Sequence, residues 1–220
     1  MKIKFDITKV IRILRREVKK WEVPIVTIYS RGNKRSAFLV LISCILSLRT
    51  RDKQTAAASK RLFAVAETPK EIANLPAEEI EKLIYPVGFY RNKANTVREV
   101  SQTLIDKYDS KTPDTIEQLV SLKGVGRKTA NLVVTLGYSK LGICVDTHVH
   151  RICNIWGYVD TKNPDKTEMS LRNKLPEKYW IEFNDLLVTF GQNLCKPVSP
   201  MCSKCKLAGM CPKVGVRKSR

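Results

Sequence analysis

Apolar residues recur at helical spacing along most of the chain, and the stretch 36–48 is apolar on nearly every side. Its sequence, SAFLVLISCILSL, predicts a helix buried on most of its surface, with Cys44 as a core residue. Near the amino end, residues 1–30 predict an amphipathic helix whose basic outer face is either solvated or in contact with a DNA backbone. Residues 53–75 and 165–194 predict further helices.

The middle of the chain contains an internal repeat. GFYRNKANTV from Gly88 recurs as GVGRKTANLV from Gly124, at an offset of 36 residues. A repeat of this size is typical of stacked helical units, and two copies predict two helix-turn-helix hairpins in one bundle. Phe89 of the first copy is either a core aromatic or a residue that wedges between bases. The lysine of the first copy, Lys93, is one position out of register with Lys128 of the second.

The second hairpin carries the residues that suggest chemistry. Gly124 and Gly126 bracket a turn where backbone N–H groups can approach an anion at the start of the next helix, although such glycines also occur in purely structural turns. Lys128 lies in the first turn of that helix. Asp146 follows within VDTH at another predicted helix start, where an aspartate is a good N-cap and needs no further role.

Charge narrows the choice of partner. The 220 residues include 40 Lys and Arg against 21 Asp and Glu, a formal net charge of +19. This excess indicates a polyanion, and nucleic acid is favoured over an anionic membrane because no basic helix with aromatic anchors is present. No signal peptide or membrane span is visible, so we expect an intracellular protein, cytoplasmic or associated with the nucleoid.

Four of the seven cysteines lie close together near the carboxyl end. Cys195, Cys202, Cys205 and Cys211 have the spacing C-x6-C-x2-C-x5-C, which predicts a four-thiolate metal site. Zinc sites usually combine two C-x2-C pairs, whereas iron–sulfur clusters accept less regular spacing. The spacing favours a cluster over zinc, and unliganded cysteines are the remaining alternative.

Taken together, LKGVGRKTAN, VDTH and the cysteine spacing resemble the helix-hairpin-helix (HhH-GPD) superfamily of base-excision DNA glycosylases, and the lysine at the turn resembles its endonuclease III branch. The resemblance implies an all-α protein with a six-helix barrel domain at 30–140, including the helix-hairpin-helix at about 113–137. It further implies that 1–29 and 141–220 form a second domain with a [4Fe–4S] cluster in the loop 195–211. DNA would then lie against the groove between the domains.

The resemblance also implies roles for individual residues. Lys128 corresponds to the nucleophile that forms a Schiff base with the sugar, and Asp146 to the carboxylate that stabilises the cationic sugar. The remaining implied residues contact DNA. Arg49 stands where the family usually has a glutamine that fills the gap left by the flipped base, and it otherwise reads as a surface arginine at a helix end. Lys123 replaces the proline common at the turn. The implied contacts are Arg49, Phe89, Lys123, Gly124, Gly126, Arg127 and His148.

These features favour a bifunctional DNA glycosylase and abasic-site lyase, acting as a monomer on double-stranded DNA with damaged pyrimidines or abasic sites. Two alternatives stay open. One is a monofunctional mismatch or adenine glycosylase of the same fold, which would not need Lys128. The other is a non-catalytic helix-hairpin-helix module, in which Lys128 and Asp146 would both be idle.

Overall fold

The computed structural model describes residues 5–21 and 36–220. These residues form helices and contain no β-strand, which confirms the all-α prediction. The α-helices are α1 (Ile7–Glu17), α2 (Ala37–Ser47), α3 (Asp52–Val65), α4 (Pro69–Asn74), α5 (Ala77–Ile84), α6 (Tyr90–Tyr108), α7 (Ile116–Val120), α8 (Arg127–Leu132), α9 (Thr147–Ile155), α10 (Pro164–Lys174) and α11 (Trp180–Asn193). Across the described ranges, every helix is too short or too polar to span a bilayer.

The chain divides into two compact units. One is Ile25–Gly142, and the other combines Met1–Pro24 with Ile143–Arg220. Residues 1–4 and 22–35 lie outside the described residues, so parts of the amphipathic helix predicted within 1–30 and the domain boundary predicted near residue 30 fall there. The described part of that segment is α1, followed by a short 3-10 turn, Val18–Lys20.

In the first unit, the central helix is α2. Its N-cap Ser36 accepts a hydrogen bond from the backbone N–H of Leu39, and every residue from Phe38 to Leu46 is buried. Cys44 lies in this core as predicted, and burial raises the pKa of its thiol to about 12. Neighbouring helices α3, α6 and α8 contact α2, so the most apolar stretch of the sequence forms the core around which this unit is built.

Both repeats form helix-turn-helix hairpins, α5–α6 and α7–α8. Helix α7 starts at Ile116, with Thr115 as its N-cap. After six residues α8 widens into a π-helical turn, Val133–Gly137, in which the hydroxyl of Thr135 donates to the carbonyls of Asn131 and Leu132. A side chain that competes for helix carbonyls in this way loosens the regular ladder.

The second unit is built around α9 and α11. Trp156, Phe183 and Phe190 fill its core, and α1 adds Ile11 and Leu14 from its apolar face. Cys153 is fully buried in this core. On the polar side of α1, the guanidinium of Arg15 donates to both carboxylate oxygens of Glu182. At least this part of the basic face therefore packs against its own unit.

Candidate functional site

The glycine turn of the second hairpin owes its shape to Gly124. Its φ is +73°, a conformation that strains any residue with a Cβ atom. A Cβ atom there would also lie only 2.9 Å from Cγ2 of Thr96, so both the backbone and the packing disfavour a larger residue. Gly126 differs, because no atom lies within 4 Å of the position its Cβ would take. Its lack of a side chain leaves open space at the start of α8. The first N–H groups of a helix have no acceptor inside it, so this opening suits an approaching anion.

Lys128 is exposed at the second position of α8. The positive charge of Lys128 lowers the pKa of the Cys44 thiol in the core of the same unit, but burial raises that pKa by more. The repeat explains why Lys93 differs: it aligns with Thr129, and both Lys93 and Thr129 are buried. Because one helical position rotates a side chain by about 100°, the one-residue shift separates an exposed lysine from an enclosed one.

Lys123 on the turn is not isolated. Its amine lies 2.5 Å from a carboxylate oxygen of Glu99 on α6, and both side chains are largely exposed. Exposed pairs of this kind contribute about 0–1 kcal/mol, so a phosphate oxygen can replace the carboxylate at little cost. The turn therefore presents a cation that is already held beside α6 of the first hairpin.

Arg49 and Phe89 lie together in the first unit. The guanidinium carbon of Arg49 is 5.8 Å from the centroid of the Phe89 ring, within the range of a cation–π contact. Phe89 is 61% exposed, which excludes the core-aromatic interpretation. Both residues have left-handed backbones, with φ of 53° and 58°. Such conformations are costly for residues other than glycine and are common at functional sites.

In the second unit, Asp146 is buried and caps α9. Its Oδ1 accepts a 2.8 Å hydrogen bond from the backbone N–H of Val149. Asp146 is therefore an N-cap, as the sequence allowed. The hydrogen bond fixes the carboxylate at the helix start and does not exclude a second role. The negative charge of Asp146 acts with burial to raise the pKa of the Cys153 thiol, about two turns further along α9.

The two histidines take different positions on α9. His148 Nδ1 is 3.2 Å from Nη2 of Arg151, whereas His150 Nδ1 is 2.7 Å from the hydroxyl of Thr167. Arg151 also donates to the carbonyl of Cys195 and lies 3.8 Å from its sulfur. Arg151 was not among the candidate residues, because no sequence pattern links it to a cysteine 44 positions away.

The four candidate cysteines line one largely apolar cavity with Trp156, Phe190 and Leu207. Burial, together with the nearby sulfurs of Cys195, Cys202 and Cys211, raises the pKa of Cys205 to about 11. The backbone N–H of Leu207 donates to the Cys205 sulfur. N–H donors around sulfur ligands are typical of iron–sulfur sites.

Among the described residues, no three His, Cys, Asp or Glu side chains are arranged to hold a single metal ion. A zinc site needs its ligands to converge on one ion. A four-iron cluster instead takes one thiolate at each of four irons, so its sulfurs stand further apart. Four thiols that line one cavity are a donor set that either kind of metal site uses.

Comparison with known proteins identifies the family. The model of the HhH-GPD superfamily of base excision DNA repair proteins matches residues 42–177. Endonuclease III of Thermotoga maritima is 46% identical over 188 residues, which is 85% of this chain and 88% of the relative. Endonuclease III homolog 2, chloroplastic, of Arabidopsis thaliana is 43% identical over 81% of this chain, and the match spans 49% of that longer protein.

Solved structures agree with these relatives. A trapped covalent intermediate of endonuclease III with DNA, an estranged-adenine complex, has a TM-score of 0.79 and 32% identity. The match covers 93% of this chain and 95% of that one. A non-covalent endonuclease III–DNA complex gives a TM-score of 0.77 at 31% identity, with coverage of 92% and 95%. The resemblance inferred from the hairpin and the cysteines is confirmed.

Proposed function

The chain belongs to the HhH-GPD superfamily of base excision DNA repair proteins, with endonuclease III relatives, and from this premise we propose that it is a bifunctional DNA glycosylase and abasic-site lyase. Its substrates are oxidised or saturated pyrimidines in double-stranded DNA. A pyrimidine that has lost its 5,6 double bond stacks poorly, so extruding it from the duplex costs less than extruding a normal base. Selectivity thus begins before any bond is broken.

The observation that carries this proposal is the exposed amine of Lys128 at the start of α8, directly after the open glycine turn. An amine in this place can attack C1′ of the sugar as the glycosidic bond breaks and the base leaves with the bonding electrons. The C1′–O4′ bond of this adduct then breaks, O4′ takes up a proton, and the nitrogen and C1′ form a Schiff base. At an abasic site, where C1′ is an aldehyde, the amine adds to it and the same Schiff base forms with loss of water. Removal of a C2′ proton then expels the 3′ phosphate by β-elimination, and hydrolysis of the Schiff base returns the lysine.

Asp146 has the second role in the proposal. A carboxylate held by the cap of α9 stabilises positive charge that develops on the sugar in the transition state. Because the cap orients the carboxylate before substrate arrives, no reorganisation is required during the reaction. The same residue then serves both the fold and the chemistry.

The DNA backbone is bound by the turn. The N–H groups at Gly126 and at the start of α8, together with Lys123 and Arg127, contact phosphates next to the lesion. This sequence-independent contact accounts for the large excess of positive charge.

We further propose that Cys195, Cys202, Cys205 and Cys211 hold a [4Fe–4S] cluster. The cluster would fix the loop of residues 195–211, since metal binding to a site of this kind is coupled to local folding. Four lysines lie in or beside this loop (Lys196, Lys204, Lys206 and Lys213), so a folded loop presents a basic surface to DNA. The chemistry at the sugar is assigned to Lys128 and Asp146.

Borohydride trapping on a duplex with an abasic site tests the proposal. The unaltered protein should give a covalent adduct and cut the strand, whereas Lys128→Gln should bind the duplex and do neither. Lys70→Gln is a matched control, because Lys70 is also an exposed second residue of a six-residue helix in the same unit. An adduct with Lys128→Gln would place the nucleophile elsewhere. No adduct with the unaltered protein would favour a monofunctional enzyme or a binding module.

A further inference from the structure

The first hairpin contains a buried amine to which the proposed reaction gives no role. Lys93 is 7% exposed, and its Nζ donates to the carbonyl of Leu46 at 2.8 Å, to the carbonyl of Leu48 and to the hydroxyl of Thr50 at 3.0 Å. The two carbonyls belong to the end of α2, where the last C=O groups have no partner inside the helix. Lys93 on α6 therefore holds the end of α2 and the loop that follows it.

A second contact joins the same two segments. The hydroxyl of Thr50 also accepts a 3.1 Å hydrogen bond from the backbone N–H of Gly88 and donates to the carbonyl of Leu48. Gly88 lies so close to the loop that a Cβ atom there would be 2.7 Å from the carbonyl oxygen of Arg49. The loop after α2 and the turn before α6 are thus joined through the Thr50 hydroxyl and lie close together at Gly88.

The residues at the tips of these two segments are Arg49 and Phe89. They are exposed and stacked on each other, and each adopts a left-handed backbone that persists only where surrounding contacts enforce it. The enforcing contacts are those of Lys93, Thr50 and Gly88. Two loops 40 residues apart in sequence consequently present one preformed pair of side chains.

We propose that Lys93, together with Thr50, is a positioning residue that keeps Arg49 and Phe89 together as one element that enters the duplex during base extrusion. The inference rests on the proposed function. The ring supplies the wedge between base steps. The guanidinium has only donors, so it distinguishes the orphaned base by the acceptors that base offers. Their separation must be fixed before DNA binds, because a displacement of about 1 Å can lower a rate on the order of 100-fold.

The surroundings of the amine exclude the alternative in which Lys93 is the nucleophile. Burial lowers the pKa of Lys93 to about 8, but three oxygens accept its hydrogens and the residue is only 7% exposed. An amine that attacks a sugar must be reachable and must have a free lone pair. The same three oxygens are what a positioning residue needs.

The test uses Lys93→Met, which keeps the unbranched side chain up to the ε position but removes the amine, and Thr50→Val, which replaces the shared hydroxyl with a methyl group. Thr50→Ser keeps that hydroxyl and should restore behaviour. Tyr138→Phe is a structural control in the same unit, since it deletes another side-chain hydrogen bond, to the carbonyl of Thr112, far from the two loops in sequence. If Lys93→Met does not fold, Thr50→Val decides alone.

Two measurements separate positioning from general stability. Single-turnover excision of a thymine glycol should slow on the order of 10- to 100-fold in Lys93→Met and Thr50→Val. The ratio of excision rates opposite guanine and opposite adenine should also shift to that of Arg49→Ala. Combining either change with Arg49→Ala should add no further shift in this ratio. Thr50→Ser and Tyr138→Phe should keep the rate and ratio of the unaltered protein.

A folded Thr50→Val protein with unaltered rate and ratio would overturn the inference, as would effects of Lys93→Met and Arg49→Ala that simply multiply. Failure of the proposed function looks different. In that case the unaltered protein itself gives no borohydride adduct on an abasic duplex, whatever the behaviour of these variants.

Discussion

Asp146 allows its two roles to be separated by substitution. The structural role is the hydrogen bond from the N–H of Val149 to its Oδ1, 2.8 Å long and buried. Asparagine is about as good an N-cap as aspartate, so Asp146→Asn should keep most of this bond. Alanine removes it, at a cost of about 1 kcal/mol, which for a chain of this size corresponds to about 2–4 °C in melting temperature.

The chemical role predicts that the excision rate, unlike the melting temperature, is sensitive to Asp146→Asn. Loss of the charge removes an electrostatic stabiliser of the transition state, and such losses lower the rate on the order of 10²-fold, equivalent to about 2.7 kcal/mol of barrier. Asp146→Asn should therefore melt close to the unaltered protein while single-turnover excision drops about 10²-fold. Asp146→Ala should show a similar loss of rate together with the lower melting temperature.

Asp6 provides the matched control. It is the N-cap of α1 in the same unit, and its Oδ1 accepts a 3.1 Å bond from the N–H of Lys9. Asp6→Ala should lower the melting temperature without changing the excision rate. Circular dichroism and rapid-quench excision on one damaged duplex measure both quantities. If Asp146→Asn excises within about threefold of the unaltered protein, the carboxylate is only a cap and the electrostatic assignment is wrong.

Three further predictions concern the rest of the structure. Lys123→Ala should weaken binding to damaged and undamaged duplex alike and should reduce the slope of log K against log salt concentration by about one, whereas Glu99→Gln should strengthen binding because it releases that lysine. Phe89→Ala should leave this slope unchanged while slowing base removal. Equal slopes for all three variants would contradict the assignment. Cys202→Ser should lower the iron content from about four per chain and increase proteolysis of the second unit, whereas an anaerobic preparation with stoichiometric zinc and no iron would reject the cluster. Cys44 should resist alkylation at pH 8 in the native protein and react after unfolding, because its thiol is buried and its pKa is about 12; rapid native labelling would show that α2 opens.

The local sequence was sufficient to predict the helices and turns. The stretch 36–48 could only be a buried helix because its apolar residues leave no polar face, and α2 occupies Ala37–Ser47 within it. The repeat predicted two hairpins, and Gly124 has the positive φ that such a turn requires. These predictions succeeded because periodicity, capping and glycine turns depend on neighbours a few residues away.

Contacts between distant segments were not predictable in the same way. No pattern indicated that Lys123 pairs with Glu99, or that Arg151 reaches the carbonyl and sulfur of Cys195. Phe89 was open to two interpretations in sequence, since an aromatic residue next to a helix start is common in cores and at surfaces alike. Its exposure and its stacking with Arg49 were decided by how the two loops meet.

Lys93 shows both what the sequence determines and what only the tertiary structure decides. The repeat already aligned it with Thr129 rather than with Lys128, so its burial could have been inferred from helical geometry alone. Its partners could not, because the carbonyls of Leu46 and Leu48 come from a helix end more than 40 residues earlier. Sequence determines which side of a helix a lysine faces. Only the packed structure brings unpaired carbonyls to that side, and their need for a donor offsets the cost of burying the amine there.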